Sequence, residues 1–129
     1  MDMLTIEQLN CGFGRQEILH DISLNIPEGK ITAIVGQSGC GKTTFLKTLN
    51  RMIEEDGGFY KGKISLDGVD IRELSKEELR TRIGMVFQQP IAFPYSIEKN
   101  LSYVLKYHGI RDKGQIEKIT KDCLQKARL

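Results

Sequence analysis

The clearest chemistry in this chain lies at Gly36, Gln37, Ser38, Gly39, Cys40, Gly41, Lys42 and Thr43, which fit the spacing G-x-x-x-x-G-K-[ST]. Each fixed position has a physical task. Glycine at 36 and 41 permits a tight path that a Cβ would obstruct, and Gly39 adds freedom at the crown. Backbone N–H groups then converge on an anion, and a helix starting at the loop would turn its unpaired N–H groups and positive dipole end to the same place. In such a loop Lys42 reaches the β and γ phosphates of a nucleotide and the Thr43 hydroxyl ligates Mg²⁺. Cys40 contributes mainly its backbone N–H. ATP or a similar nucleotide, with Mg²⁺, is the ligand this chemistry fits.

A phosphate loop needs a strand before it and a helix after it, and the flanking residues read that way. Ile31, Thr32, Ala33, Ile34 and Val35 form a short, β-branched run, apolar on both faces, as a buried parallel strand should be. From Lys42, the positions Phe45, Leu46, Leu49 and Ile53 keep helical spacing until Gly57 and Gly58. Upstream, the apolar positions Leu4, Ile6, Leu9 and then Ile18, Ile22, Leu24 and Ile26 predict half-buried antiparallel strands, with Gly12 and Gly14 at the turn.

Downstream, residues 64–66 and 69–71 flank Asp67 and Gly68, a pair suited to a two-residue hairpin turn. Ser75 and Glu78 make a capping box for a short helix to about Arg82, and residues 83–87 read as another strand. Two prolines between Gln88 and Tyr95 exclude regular structure there. The aromatics of that loop either meet a partner or pack on their own domain. Ser96 caps a helix with Ile97, Leu101, Val104 and Leu105 on one face, ending at Gly109. Asp112 and Gln115 are candidate caps for a last helix, with Ile116, Ile119, Cys123 and Ala127 inward, running to the final residue.

Composition narrows the class. A chain of 129 residues suits one domain, and no apolar run approaches the roughly 20 residues needed to cross a bilayer. The first residues lack the basic start and apolar stretch of a secretory signal, so a cytoplasmic site of action is expected. Three widely spaced cysteines, Cys11, Cys40 and Cys123, suit free thiols. The net charge is only +2, and the bases Lys118, Lys121, Lys126 and Arg128 alternate with acids and amides. This is a solvated helix face, and no nucleic-acid partner is expected.

Together these motifs resemble the ATP-binding subunit of ABC transporters, along the whole chain. The loop continuing to Thr44 has that family's style, residues 64–71 look like its β hairpin, and Met85, Val86, Phe87 and Gln88 look like the approach to its Q-loop. More narrowly, Leu49, Asn50, Arg51 and Met52, taken with residues 87–100, are similar to bacterial phosphate-import ATPases.

The resemblance implies an α/β fold: a P-loop NTPase (RecA-like) core with an N-terminal antiparallel β subdomain and the start of a helical subdomain, incomplete. Its parts would be the antiparallel layer over residues 1–30, the P-loop strand and helix over 31–56, and the hairpin, short helix and strand over 57–87. The Q-loop and first helices of the helical subdomain would occupy residues 88–129. It implies that residues 36–44 hold ATP, that Thr43 and Gln88 ligate Mg²⁺, and that Gln88 senses the γ phosphate or the attacking water. Phe13 matches the aromatic that stacks on adenine, although a phenylalanine in a β layer is as readily a core residue. The implied partners are transmembrane permease subunits, met in the family through a coupling helix near the Gln89 to Tyr95 loop, and a second ATPase subunit. The implied place is the cytoplasmic face of the membrane.

Three family parts have no counterpart in these residues: the LSGGQ signature, a Walker B strand ending in Asp-Glu, and a switch histidine. Asp67 precedes Gly68 at a turn, and His20 and His108 have no switch-like context. The expectation is therefore an N-terminal ATPase fragment with exposed sheet edges, which holds nucleotide and does not hydrolyse it alone. The alternative is a non-catalytic nucleotide-binding or regulatory module docking on a membrane subunit. A GTPase or small-molecule kinase is disfavoured, since neither an N-K-x-D motif nor an arginine-rich lid occurs.

Overall fold

The computed structural model describes residues 1–89 and 92–128. Pro90 and Ile91 of the expected Gln88–Tyr95 loop, and the terminal Leu129, lie outside the described residues. The chain divides into two units, Met1–Met85 and Val86–Leu129.

In the first unit, β1 (Asp2–Phe13) and β2 (Gln16–Pro27) form an antiparallel hairpin, with Phe13 opposite Gln16 across the turn. Strand β3 (Gly58–Leu66) pairs with the other edge of β1, and the short β4 (Val69–Asp70) closes the order β2-β1-β3-β4. Asp67 and Gly68 adopt φ of 50° and 80°, the left-handed pair a tight hairpin needs, and they place Leu66 opposite Val69.

The inward residues of β1 are Leu4, Ile6, Leu9 and Cys11. Strict alternation would send Leu9 and Cys11 to the opposite face from Leu4 and Ile6. A bulge corrects this: the register shifts between Ile6 and Leu9 against β2, and between Glu7 and Asn10 against β3, with Gln8 at φ 50°. The Gln8 amide donates to Ser23 Oγ at 2.9 Å, and Asn10 Oδ1 accepts from the Asp21 amide at 3.0 Å. Gly62 opposes the bulge at φ +97°, where a Cβ would stand 2.3 Å from the Gln8 carbonyl oxygen.

Against this face pack α1 (Lys42–Leu49), a 3-10 turn at Met52–Glu54, and α2 (Lys76–Arg82). Phe45, Leu49, Ile53, Ile71 and Leu79 join Tyr60, Ile64 and Leu66 of β3 in one core. Each such buried side chain contributes about 1.5–3 kcal/mol relative to exposure. Ser75 caps α2 as expected, its Oγ accepting from the Glu78 amide at 3.1 Å.

Two expected strands are not formed. Residues 31–35 are irregular and exposed, with Ile31 fully so, and residues 83–87 are irregular as well. Both read as strands from composition, but a strand exists only where its N–H and C=O groups find a ladder. Among the described residues, the sheet is wholly antiparallel and pairs with neither segment. The helix after the loop is also shorter than its apolar spacing predicts. It stops at Leu49 because Arg51 takes φ 60°, and Leu46 stays exposed.

In the second unit, α3 (Ile97–Tyr107) begins at Ser96, whose Oγ accepts from the Lys99 amide at 3.1 Å, and ends before Gly109 at φ 90°. It packs with α4 (Lys113–Lys126), which Asp112 caps by accepting from the Gly114 amide at 3.1 Å. No residue of α3 is buried: Ile97 and Val104, expected inward, are exposed. On α4, Ile116 and Thr120 are buried, while Cys123 is exposed, as is Ala127 just after the helix. All three cysteines are free thiols.

Candidate functional site

The loop over residues 36–41 is an exposed arch closed by a hydrogen bond from the Cys40 amide to the Gln37 carbonyl oxygen at 3.2 Å. It hands the chain to α1 through Gly41, whose φ is 99°. That residue also backs onto β2, where a Cβ would lie 3.0 Å from both Ile18 and Leu19 side chains. The Phe45 amide then donates to the Gly41 carbonyl oxygen at 2.9 Å and starts the helix.

Buried Phe45, Thr48 and Leu49 seat α1 on the sheet, and its far end is tied by Arg80 of α2. The Arg80 guanidinium donates to the Asn50 and Arg51 carbonyl oxygens at 3.2 and 3.3 Å and to Glu55 Oε1 at 3.1 Å. A cation at a helix C-terminus complements the dipole. Arg51 itself holds Glu54 through contacts of 2.7 and 3.1 Å, which keep that carboxyl below its ordinary range. In the sequence Arg80 stands out only as a basic residue in the last turn of a short helix, too weak a signal to mark this role.

The opposite end of α1 is open. Gly41 supplies no side-chain cap and the first turn carries no acid. Lys42 folds its ammonium onto the loop, donating to the Gly36 carbonyl oxygen and to that of Gln37 at 3.4 Å. Thr43 is exposed and Thr44 is half-buried beside it. An uncapped helix N-terminus, a flexible cation parked on carbonyl groups it can leave, and an exposed hydroxyl on one turn form an arrangement that fits a phosphate and its metal. An apolar cleft of about 200 Å³, with Leu19, Leu24, Ile34 and Phe45 in its lining, adjoins Gly41 and Lys42. A low-dielectric wall of this kind strengthens the attraction between Lys42 and an anion.

The structure thus brings residues 36–44 together. Phe13 ends β1 half-buried, packed on the core, and a Cβ on Gly58 would meet its ring at 2.8 Å. It is absent from the lining of the cleft beside the loop. Gln88 belongs to the second unit and is exposed. Asp67 lies in the hairpin turn and pairs with Arg82 at 2.5 Å. His20 contacts Glu17 at 2.9 Å on the surface, and His108 follows α3. Among the described residues, no cluster of three or more His, Cys, Asp or Glu could hold a metal, and no helix is long and apolar enough to cross a membrane.

Comparison with known proteins agrees with this geometry. The family pattern described as ABC transporter matches residues 19–128. Among solved structures, a bacterial Atm1-family ABC exporter with ATP bound is 35% identical, with a TM-score of 0.69, over 78% of this chain. The match takes in 17% of that exporter's chain, so this chain spans a small part of its length. With the phosphate loop, the β3–β4 hairpin and the capped helices all inside the matched region, the chain belongs to the ABC transporter family.

Proposed function

We propose that this chain is the nucleotide-gripping part of the ATP-binding subunit of an ABC-type importer, one that couples ATP hydrolysis to solute uptake, with phosphate as the solute. The observation that carries the reading is the open N-terminus of α1, with Lys42 and Thr43 on its first turn. The importer assignment rests on the resemblance of residues 49–52 and 87–100 to phosphate-import ATPases.

In this reading the amides of residues 36–44 and the α1 dipole hold the β and γ phosphates. Lys42 leaves the Gly36 and Gln37 carbonyl groups for the phosphates, and Thr43 with Gln88 supplies oxygen ligands to Mg²⁺. Phe13 is the aromatic assigned to the adenine. Bound Mg-ATP supplies the phosphoryl bond whose cleavage drives transport. Gln88 orients water or metal and reports to the permease, and the exposed aromatics that follow it, Phe93 and Tyr95, form the surface the permease meets. The subunit works as one of a pair on the cytoplasmic face of the membrane.

The carboxylate that orients water and the signature that closes over a second nucleotide have no counterpart in this chain. Mg-ATP binding and turnover measured side by side test the chain itself: binding without turnover is expected, and turnover at rates typical of a transporter ATPase would contradict it. Uptake of labelled phosphate by cells lacking the gene should fall, and uptake equal to that of the parent cells would refute the importer assignment.

A further inference from the structure

One side chain in the second unit organises a turn that no core requires. Asn100 lies in the first turn of α3, half-buried. Its Oδ1 accepts from the Phe93 amide at 2.9 Å, while Nδ2 lies within donating distance of the Phe93, Tyr95 and Ser96 carbonyl oxygens at 3.2, 3.1 and 2.9 Å. An amide nitrogen has only two hydrogens, so at least one of them is shared among these acceptors. The same turn is drawn tight by the Tyr95 amide donating to the Phe93 carbonyl oxygen at 2.7 Å.

Helix capping does not explain this, because Ser96 already caps α3. Helix propensity does not either, since asparagine is unfavourable at such a position relative to alanine. What the bonds fix is the placement of aromatic rings. The Phe93 ring stands 5.1 Å from that of Tyr103 and 6.3 Å from that of Tyr95, and the Lys99 ammonium lies 4.4 Å over Tyr95. Phe93, Tyr95 and Tyr103 each remain about half exposed. Phe93 and Tyr95 border an open cleft of about 460 Å³ whose lining also includes Ile97 and Val104. A protein that fixes apolar rings in water by four backbone contacts is preparing a surface, since ordering it in advance lowers the cost of binding.

We propose that Asn100 is a positioning residue, locking the turn of residues 93–96 onto α3 so that Phe93 and Tyr95 stand ready for an apolar cytoplasmic segment of the permease. The inference rests on the proposed function for its partner, and on the hydrogen bonds alone for the clamp.

Two variants test it in the full chain. Asn100→Asp keeps an acceptor for the Phe93 amide but loses every donation to the three carbonyl oxygens; Asn100→Ala loses both. Amide exchange at Phe93 should accelerate at least tenfold in Asn100→Ala, while the Lys99 amide, held by Ser96, keeps its protection. Affinity for the permease subunits of a bacterial phosphate importer in lipid nanodiscs should weaken by about tenfold in both variants. Mg-ATP affinity should stay within twofold of the parent. The control Tyr95→Ala should weaken docking and leave the exchange at Phe93 unchanged.

Unaltered exchange at Phe93 in Asn100→Ala overturns the clamp, and full permease affinity with a loosened turn overturns its role in docking. A parent chain that ignores this permease refutes the docking role and the importer assignment together, while the exchange at Phe93 still decides whether Asn100 holds the turn.

Discussion

At the scale of single residues, the candidate site depends on what Lys42 can leave. Its ammonium rests on two carbonyl oxygens of the loop, neutral acceptors that a phosphate outcompetes. Lys42→Ala should therefore weaken Mg-ATP binding by about 10- to 100-fold, since a charge-assisted hydrogen bond contributes about 1.5–3 kcal/mol. Titration calorimetry on the two proteins checks this. Thiol chemistry offers an independent view. Burial pushes the Cys11 thiol up, whereas Cys40 and Cys123 are exposed. Iodoacetamide should modify Cys40 and Cys123 and spare Cys11, and saturating Mg-ATP should slow the reaction at Cys40 alone, as read by peptide mass spectrometry. Equal slowing at Cys123 would show that the nucleotide acts by general compaction. The loop residues were legible in the sequence because they act through backbone and spacing. Asn100 was not, because its partners are carbonyl oxygens presented by a turn that only the folded chain defines.

Elements show where a pattern suffices and where it needs neighbours. The Asp67–Gly68 turn and the Ser75 and Ser96 caps follow from local chemistry, and all three form as the sequence predicts. Residues 31–35 and 83–87 carry the composition of strands yet stay irregular, because being a strand is a relation to a partner edge. The bulge in β1 leaves a trace in the uneven spacing of Ile6 and Leu9, but its cause, the Gln8 carbonyl against Gly62, is a contact across strands. Gly62→Ala should cost about 2–4 kcal/mol by left-handed strain plus the clash, measured by urea unfolding.

Behind α1, the Arg51 hydrogen bond holds the Glu54 carboxyl below its ordinary value of 4.5. A depressed folded value means stability that is present above the unfolded pKa and lost as pH falls through the folded one. Thermal melts should therefore show a shallower acid decline below about pH 4.5 in Glu54→Gln than in the parent. The difference should be small, because Glu54 is a third exposed and screened.

On the scale of the molecule, a β layer and its helices hold a phosphate loop at an open helix end, and a second unit carries Gln88 and an ordered aromatic turn. Apolar residues beside the loop, Ile31, Ile34 and Val35, are left in water. Such a patch marks a surface made for further packing. The fold class was legible because periodicity, turns and caps agree with one another, and the loop's purpose because its spacing is tied to one kind of ligand. The most direct test is equilibrium titration of the full chain with Mg-ATP, beside Lys42→Ala. Saturable binding of one nucleotide per chain is expected, lost or greatly weakened in the variant; no saturable binding, or equal binding by both proteins, would show that this loop does not hold the nucleotide.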